Sequence, residues 1–348
     1  MEYKRSIIFR IFKTVLQTAI AAVILFLLIT RHQEQFKQCL EQFNYPVLLP
    51  ALCCYLLHIL TGAWRWRKLA SLQGFNLSFF ESFSLTMQGV FFSLIIPGGA
   101  IGGDVVKMGL LARRRQPGNR AEGIFTIFMD RIVGMVALFI LSSVMLTLYV
   151  SKLDTLEIAG LTKTQIKLGI AVLYALSFTG IFCGIAIFFH RKLQKLPGVI
   201  TLMNWIDRHL NNASSRITAM ADSYANSPRE LSMLTLLSIA GVHIMSMSPM
   251  FFILHGAGVE LNAQTILMVL SATTIGNIAG LIPITPGGIG LRDLVVISLL
   301  TAGGITSGTA DTAQVMATGL SVFVSLTGGV FLLFESSAFR RKSGKSIQ

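Results

Sequence analysis

Apolar residues occupy this chain in long blocks separated by short polar stretches, the pattern of helices that each need about 20 apolar residues to cross a bilayer. Six blocks predict spanning helices, at about 11–30, 46–63, 121–150, 168–189, 231–255 and 312–335. Two further apolar regions, 79–112 and 265–305, are interrupted by proline and glycines. The first reads Pro97-Gly-Gly-Ala-Ile-Gly-Gly-Asp104 and the second Pro286-Gly-Gly-Ile-Gly-Leu-Arg-Asp293. A glycine-rich break at membrane depth leaves backbone groups unpaired, which is tolerated only inside protein or along a wet cavity. Both regions therefore predict helical hairpins that enter and leave by one side.

Loop charges assign those sides, because short cytoplasmic loops collect Lys and Arg. Arg65, Arg67 and Lys68 precede the first hairpin, and Lys107, Arg113, Arg114, Arg115 and Arg120 close it. The flanks of the second, 256–264 and 303–311, hold no Lys or Arg. The two hairpins thus dip in from opposite faces, as in an inverted-topology repeat. Polar positions repeat with them: Ser84 and Thr273 lie thirteen residues before their prolines, Gln88 and Asn277 nine before, Asp104 and Asp293 seven after. Between the halves, Val199, Met203, Ile206, Leu210, Ala213, Ile217, Met220 and Tyr224 recur at three- and four-residue spacing. They predict an amphipathic helix, lying either on the cytoplasmic leaflet or across the end of the bundle.

The expected fold is an all-α polytopic membrane protein of about six spanning helices and two re-entrant hairpins, forming a single integral membrane domain over 1–348. Its parts are an N-terminal helix in 1–40, a first repeat in 41–190, the amphipathic loop 191–230 and a second repeat in 231–348. Basic residues at both ends, Lys4, Arg5, Arg10 and Lys13 and then Arg340, Arg341, Lys342 and Lys345, place both termini in the cytoplasm.

Composition agrees: 53% of the 348 residues are hydrophobic and 13% charged, against about 25% charged in soluble domains. The net charge of +13 falls in short runs beside apolar segments, which fits lipid headgroups and not nucleic acid. Cys39, Cys53, Cys54 and Cys183 lack the spacing of a zinc site or a disulfide framework. No βαβ unit surrounds the glycines after Pro97, and Gly344-Lys-Ser lacks the upstream glycine of a nucleotide loop. No cofactor is expected, and energy input is proton coupling or none.

Ionisable groups at membrane depth are expensive and are candidates for function. Asp130 stands nine residues into a helix starting near Ala121, roughly 14 Å along its axis. Glu122, Thr126, Asp130 and Gly134 share its face, while Arg131 is rotated by about 100°. Asp130 therefore needs a partner on another element, with Arg65 or Arg292 as candidates for an ion pair that serves registry alone. His58, Thr61 and Arg65 form a second polar stripe flanked by Trp64 and Trp66, and Arg65 suits a phosphate bidentately. His243 reads as a hydrogen-bonded core histidine. Gly98, Gly99, Gly102 and Gly103, with Gly287, Gly288 and Gly290, let backbone amides approach a ligand where a half-helix begins. Asp104 and Asp293 stand at those starts, either as caps on the same amides or in contact with cargo.

These residues carry a resemblance. Ala63-Trp-Arg-Trp-Arg-Lys, Pro97-Gly-Gly with Gly103-Asp104 and Lys107, Asp130-Arg131-x-x-Gly134 and Ile282-Pro-Ile-Thr-Pro-Gly-Gly-Ile-Gly-Leu-Arg-Asp293 resemble the lysylphosphatidylglycerol synthase transmembrane family. That family includes the flippase-like region of the bacterial multiple peptide resistance factor and its stand-alone relatives. The last motif usually ends Arg-Glu there, so Asp293 departs from it. The resemblance implies a flippase-like transporter of the bacterial inner membrane, not an enzyme, that moves a phospholipid or a polyprenyl or glycolipid between leaflets. The expected lipid-contacting residues are Arg65, Gly98, Gly99, Gly102, Gly103, Asp104, Lys107, Asp130, Arg131, Gly287, Gly288, Gly290, Arg292 and Asp293. The fused relatives' lysine-transferring domain is not expected in this chain. The competing expectations are a membrane-embedded transferase using Asp104 or Asp293 as base, and an accessory subunit beside a glycosyltransferase; self-association is a further partner expectation.

Overall fold

The computed structural model describes residue 30, residues 33–96, 100–114, 120–153, 162–188, residues 198 and 205, and residues 213–282 and 288–332. The elements placed among them are helices: α1 (Gln33–Glu41), α2 (Leu48–Leu72) after a short 3-10 turn at Tyr45–Val47, α3 (Phe79–Ile95), α4 (Ala100–Arg114), α5 (Arg120–Leu153), α6 (Lys163–Phe188), α7 (Ala213–Ala225), α8 (Pro228–Leu237), α9 (Met245–Gly256), α10 (Ala263–Ala279), α11 (Leu291–Ala302) and α12 (Ser307–Thr327). Local chemistry sets several starts. Ser78, Asn262 and Thr306 accept the backbone N–H three residues on and cap α3, α10 and α12, and Pro228 fills the first turn of α8, where no N–H is needed.

Among the described residues, five segments are long and apolar enough to cross a membrane: Tyr45–Leu72, Arg120–Ser151, Lys163–Ala186, Pro228–Gly256 and Ser307–Leu332. They match five of the six expected spans; the block at 11–30 lies outside the described residues. The chain is an all-α polytopic membrane protein. At 34 residues α5 is about 51 Å long, well beyond the ~30 Å hydrocarbon core, so it tilts or emerges from the membrane.

The two interrupted regions are antiparallel pairs, α3 with α4 and α10 with α11. Their arms have 17, 15, 17 and 12 residues, about 25 Å or less, so none crosses alone. They root at opposite ends. Leu85 and Leu111 of the first hairpin pack with Trp66, Ala70, Phe75 and Leu77 around the C-terminal end of α2. Met268, Leu300 and Ile305 of the second pack with Phe43, beside the start of α2, and with Leu146, Tyr149 and Leu254, late in α5 and α9. The first of these ends is the basic one and the second is charge-poor. This is the arrangement of an inverted-topology repeat.

The repeat is less regular than the proline offsets predict. α3 ends two residues before Pro97, whereas α10 ends seven before Pro286, because the second connection is longer. It carries left-handed Gly288 at φ 72° and Gly290 at φ 101°, conformations that favour glycine. Asp104 is consequently the fifth residue of α4 and Asp293 the third of α11, so the equivalence expected of these two carboxylates does not hold.

Helices α8 and α9 form one span joined by a π-helical stretch, Ser238–Ile244, in which each turn holds one extra residue. Helix α7 lies across the basic end of the bundle: Tyr224 donates to the Leu69 carbonyl at 3.1 Å, and Gln73 donates to that of Met220. Of the two placements expected for the amphipathic segment, its described part takes the packed one.

A buried charge cluster and a polar cavity

Four residues share one face of α5, and three of them meet α2. Thr126 accepts the Trp66 indole N–H at 3.0 Å, Asp130 accepts Arg65 Nε at 2.8 Å, and a methyl on Gly134 would press to 3.2 Å from Arg65 Nη1. Four-residue spacing brings these positions under α2, as the sequence predicts, and the Asp130 partner is Arg65, not Arg292. The fourth, Glu122, keeps carboxylate oxygen Oε2 buried without a hydrogen bond among the described residues.

Arg65 is 7% exposed. Its Nη1 donates to Ser238 Oγ at 2.9 Å, and Ser238 opens the π-helical stretch. Five residues on, His243 Nε2 lies 2.9 Å from the Gly134 carbonyl. The π turn places both side chains against the α2/α5 seam. His243 is hydrogen-bonded in the core, as expected.

Asp104 forms a bidentate ion pair with Arg131, one bond measuring 3.0 Å and the other from Nε to Oδ2. This overturns its reading as a helix cap: four residues into the body of α4, its carboxylate is committed to α5. Lys107, one turn further and 5% exposed, has no carboxylate within ion-pair distance among the described residues; its ammonium sits 3.6 Å from the Trp66 ring centre. A cation over an indole face is stabilised by the ring quadrupole, and Arg65, Asp104, Asp130 and Arg131 lie within its electrostatic reach. Among the described residues, three cations stand here against two carboxylates, with Arg65 and Lys107 buried and Arg131 exposed.

Glycines bind the hairpin arms together. A methyl on Gly103 would collide with the Gly89 carbonyl and with Ser93 Oγ, and one on Gly102 would lie 3.1 Å from the Ile96 carbonyl oxygen. In the second hairpin a methyl on Gly288 would meet Gly280 Cα at 3.1 Å. Pro97, Gly98, Gly99, Pro286 and Gly287 lie outside the described residues. Gly102, Gly103 and Gly288 serve interhelix contact here, and Gly290 N–H is engaged by Asp293.

Asp293 does cap: its Oδ2 accepts Gly290 N–H at 3.0 Å. Its Oδ1 accepts from Gln314 Nε2 at 2.7 Å, Thr318 Oγ1 at 3.1 Å and Arg292 Nε at 3.1 Å. Arg292 also donates to Thr318 at 3.2 Å. Beside this network lies a cavity of about 60 Å³, bounded by Tyr55, Ser246, Asn277, Arg292, Gln314 and Ser321. Thr273 also faces it. Of the paired polar positions, Thr273 and Asn277 thus line the cavity, whereas Gln88 donates to its neighbour Ser84 and to the Phe331 carbonyl.

Sequence reasoning missed Ser238, Tyr55, Gln314 and Thr318. The only available signal was the four-residue spacing of Gln314 and Thr318 on an apolar helix.

Residues 14–329 match the family model described as the lysylphosphatidylglycerol synthase TM region. The chain is also similar to UPF0104 membrane protein PH1989 of Pyrococcus horikoshii, 21% identical over 310 residues that cover 86% of this chain and 90% of the relative.

Proposed function

The chain belongs to the lysylphosphatidylglycerol synthase TM-region family, and from that premise we propose that it carries a lipid with a charged headgroup between leaflets without altering it covalently. The observation that carries this reading is the cluster of buried Arg65 and Lys107 with exposed Arg131 against Asp104 and Asp130, among the described residues one positive charge in excess beside a re-entrant hairpin. A lone excess charge in a low-dielectric setting favours an anionic guest far more than it would in water. Phosphate, whether in a phospholipid, a glycolipid or a polyprenyl carrier, supplies that anion.

Both candidate bases of a transferase are already engaged, Asp104 by Arg131 and Asp293 by its cap and three side-chain donors, which favours transport over group transfer. Access alternates by rocking one repeat against the other, with the basic end in the cytoplasm of a bacterial inner membrane. Liposomes carrying fluorescent phosphatidylglycerol in both leaflets test this with an external quencher. The protein is expected to make the inner pool reachable, and Lys107→Met to slow that exchange at least tenfold. A failure to move any anionic, aminoacylated or polyprenyl-phosphate lipid above the protein-free rate refutes the proposal, and a covalently changed lipid would establish the transferase instead.

A further inference from the structure

The cavity at the second hairpin differs chemically from the cluster at the first. Arg292 is matched by its neighbour Asp293, and Asp293 accepts four hydrogen bonds, so this pair brings no excess charge. Besides the donors of Tyr55, Asn277 and Arg292, the walls offer acceptors. Ser246 Oγ donates to the His243 carbonyl and Ser321 Oγ to that of Thr318, so each presents oxygen lone pairs. Gln314 is 4% exposed; both its bonds leave from Nε2, and its buried Oε1 has no partner among the described residues.

A buried amide oxygen of this kind calls for a hydrogen-bond donor. A phosphodiester has only acceptors and does not satisfy it, whereas a hydroxyl does. The cavity has room for a few waters, or for the hydroxymethyl tip of a polyol. Tyr55 and Arg65 are ten residues apart on α2, which sets the cavity and the charged cluster about 15 Å apart along the helix.

We propose that this cavity is a binding station for the uncharged, hydroxyl-bearing end of a lipid headgroup, a glycerol or sugar unit, distinct from the cluster that takes phosphate. The inference rests on the reading of the chain as a carrier of anionic lipids. The charged cluster selects the phosphodiester, and the cavity discriminates among phosphodiesters by what is attached to them.

The test uses the purified full chain in detergent with two short-chain probes of equal charge, dihexanoyl phosphatidylglycerol and dihexanoyl phosphatidylmethanol, read by titration calorimetry. The glycerol lipid is expected to bind about tenfold more tightly, the scale of one well-made hydrogen bond in a buried site. Gln314→Leu is expected to shrink that ratio below about threefold while the affinity for phosphatidylmethanol holds. Tyr55→Phe, which leaves every bond to Asp293 intact, is expected to act in the same direction and covers the case in which Gln314→Leu fails to fold. Equal affinities in the unaltered protein, or a ratio unmoved by both variants, overturn the inference and leave a cavity holding water only. Displacement by millimolar glycerol 3-phosphate assigns the station to a soluble polyol and overturns the lipid assignment. Binding of neither lipid refutes the carrier reading itself.

Discussion

Asp130 and Arg65 hold each other at 2.8 Å inside the bundle, and removing one leaves the other charged and unmatched. Breaking a buried pair from one side costs about 3–5 kcal/mol, whereas replacing both partners by apolar residues is often neutral. Asp130→Ala is therefore expected to lower the thermal unfolding midpoint markedly, and Arg65→Met with Asp130→Leu to recover most of it without recovering lipid movement. If the double variant transports normally, the pair serves registry alone. Gly103 presents a steric case. Its Cα hydrogen faces the Gly89 carbonyl, so Gly103→Ala must spread the arms of the first hairpin, at a cost of about 1–3 kcal/mol. Gly109→Ala, with open space around it, is the matched control and is expected to leave the melting curve in place.

The hairpins are the elements on which the topology turns. Asn76→Cys, between α2 and α3, and Glu260→Cys, between α9 and α10, are expected to react with a membrane-impermeant thiol reagent from opposite sides of sealed vesicles in a cysteine-free background. Labelling of both from one side would remove the inverted repeat. These elements were legible because apolar length, glycine breaks and loop charge act locally: five spans and both hairpins follow from them, and the Glu122 to Gly134 face from helical periodicity. The sequence showed that Asp130 needs a partner on another element, with Arg65 and Arg292 as examples, and packing supplies Arg65. Of the two readings open for Asp104, a cap or a contact with cargo, the cap fails because helix starts depend on connection length, and the second connection is the longer. Tyr55, Gln314 and Ser238 stayed hidden for another reason. A hydroxyl or amide on a spanning helix looks the same in sequence whether it bonds its own preceding turn or a neighbouring helix, and a π turn has no composition of its own.

At the scale of the whole molecule, the charged cluster and the polar cavity are separated by a tight crossing. A Cβ on Gly241 would lie 2.6 Å from Thr61 Cγ2 and 3.4 Å from Thr61 Cβ, close to the roughly 3.5–4.5 Å between Cβ atoms in disulfides. Thr61→Cys with Gly241→Cys is expected to cross-link under mild oxidation and to arrest lipid exchange at least tenfold, with recovery on reduction; full exchange by the cross-linked protein would show that this crossing does not open. The π stretch next to it sets an angular phase. Ser238 meets Arg65 at its start, and Ser246 reaches the cavity two residues after its end. Were the same residues to wind as ordinary α-helix, everything beyond them would turn by about 100°. The serine at Arg65 would stay while the one in the cavity swung away, so the wide winding of this one stretch is what lets a single span serve both ends of the carrier.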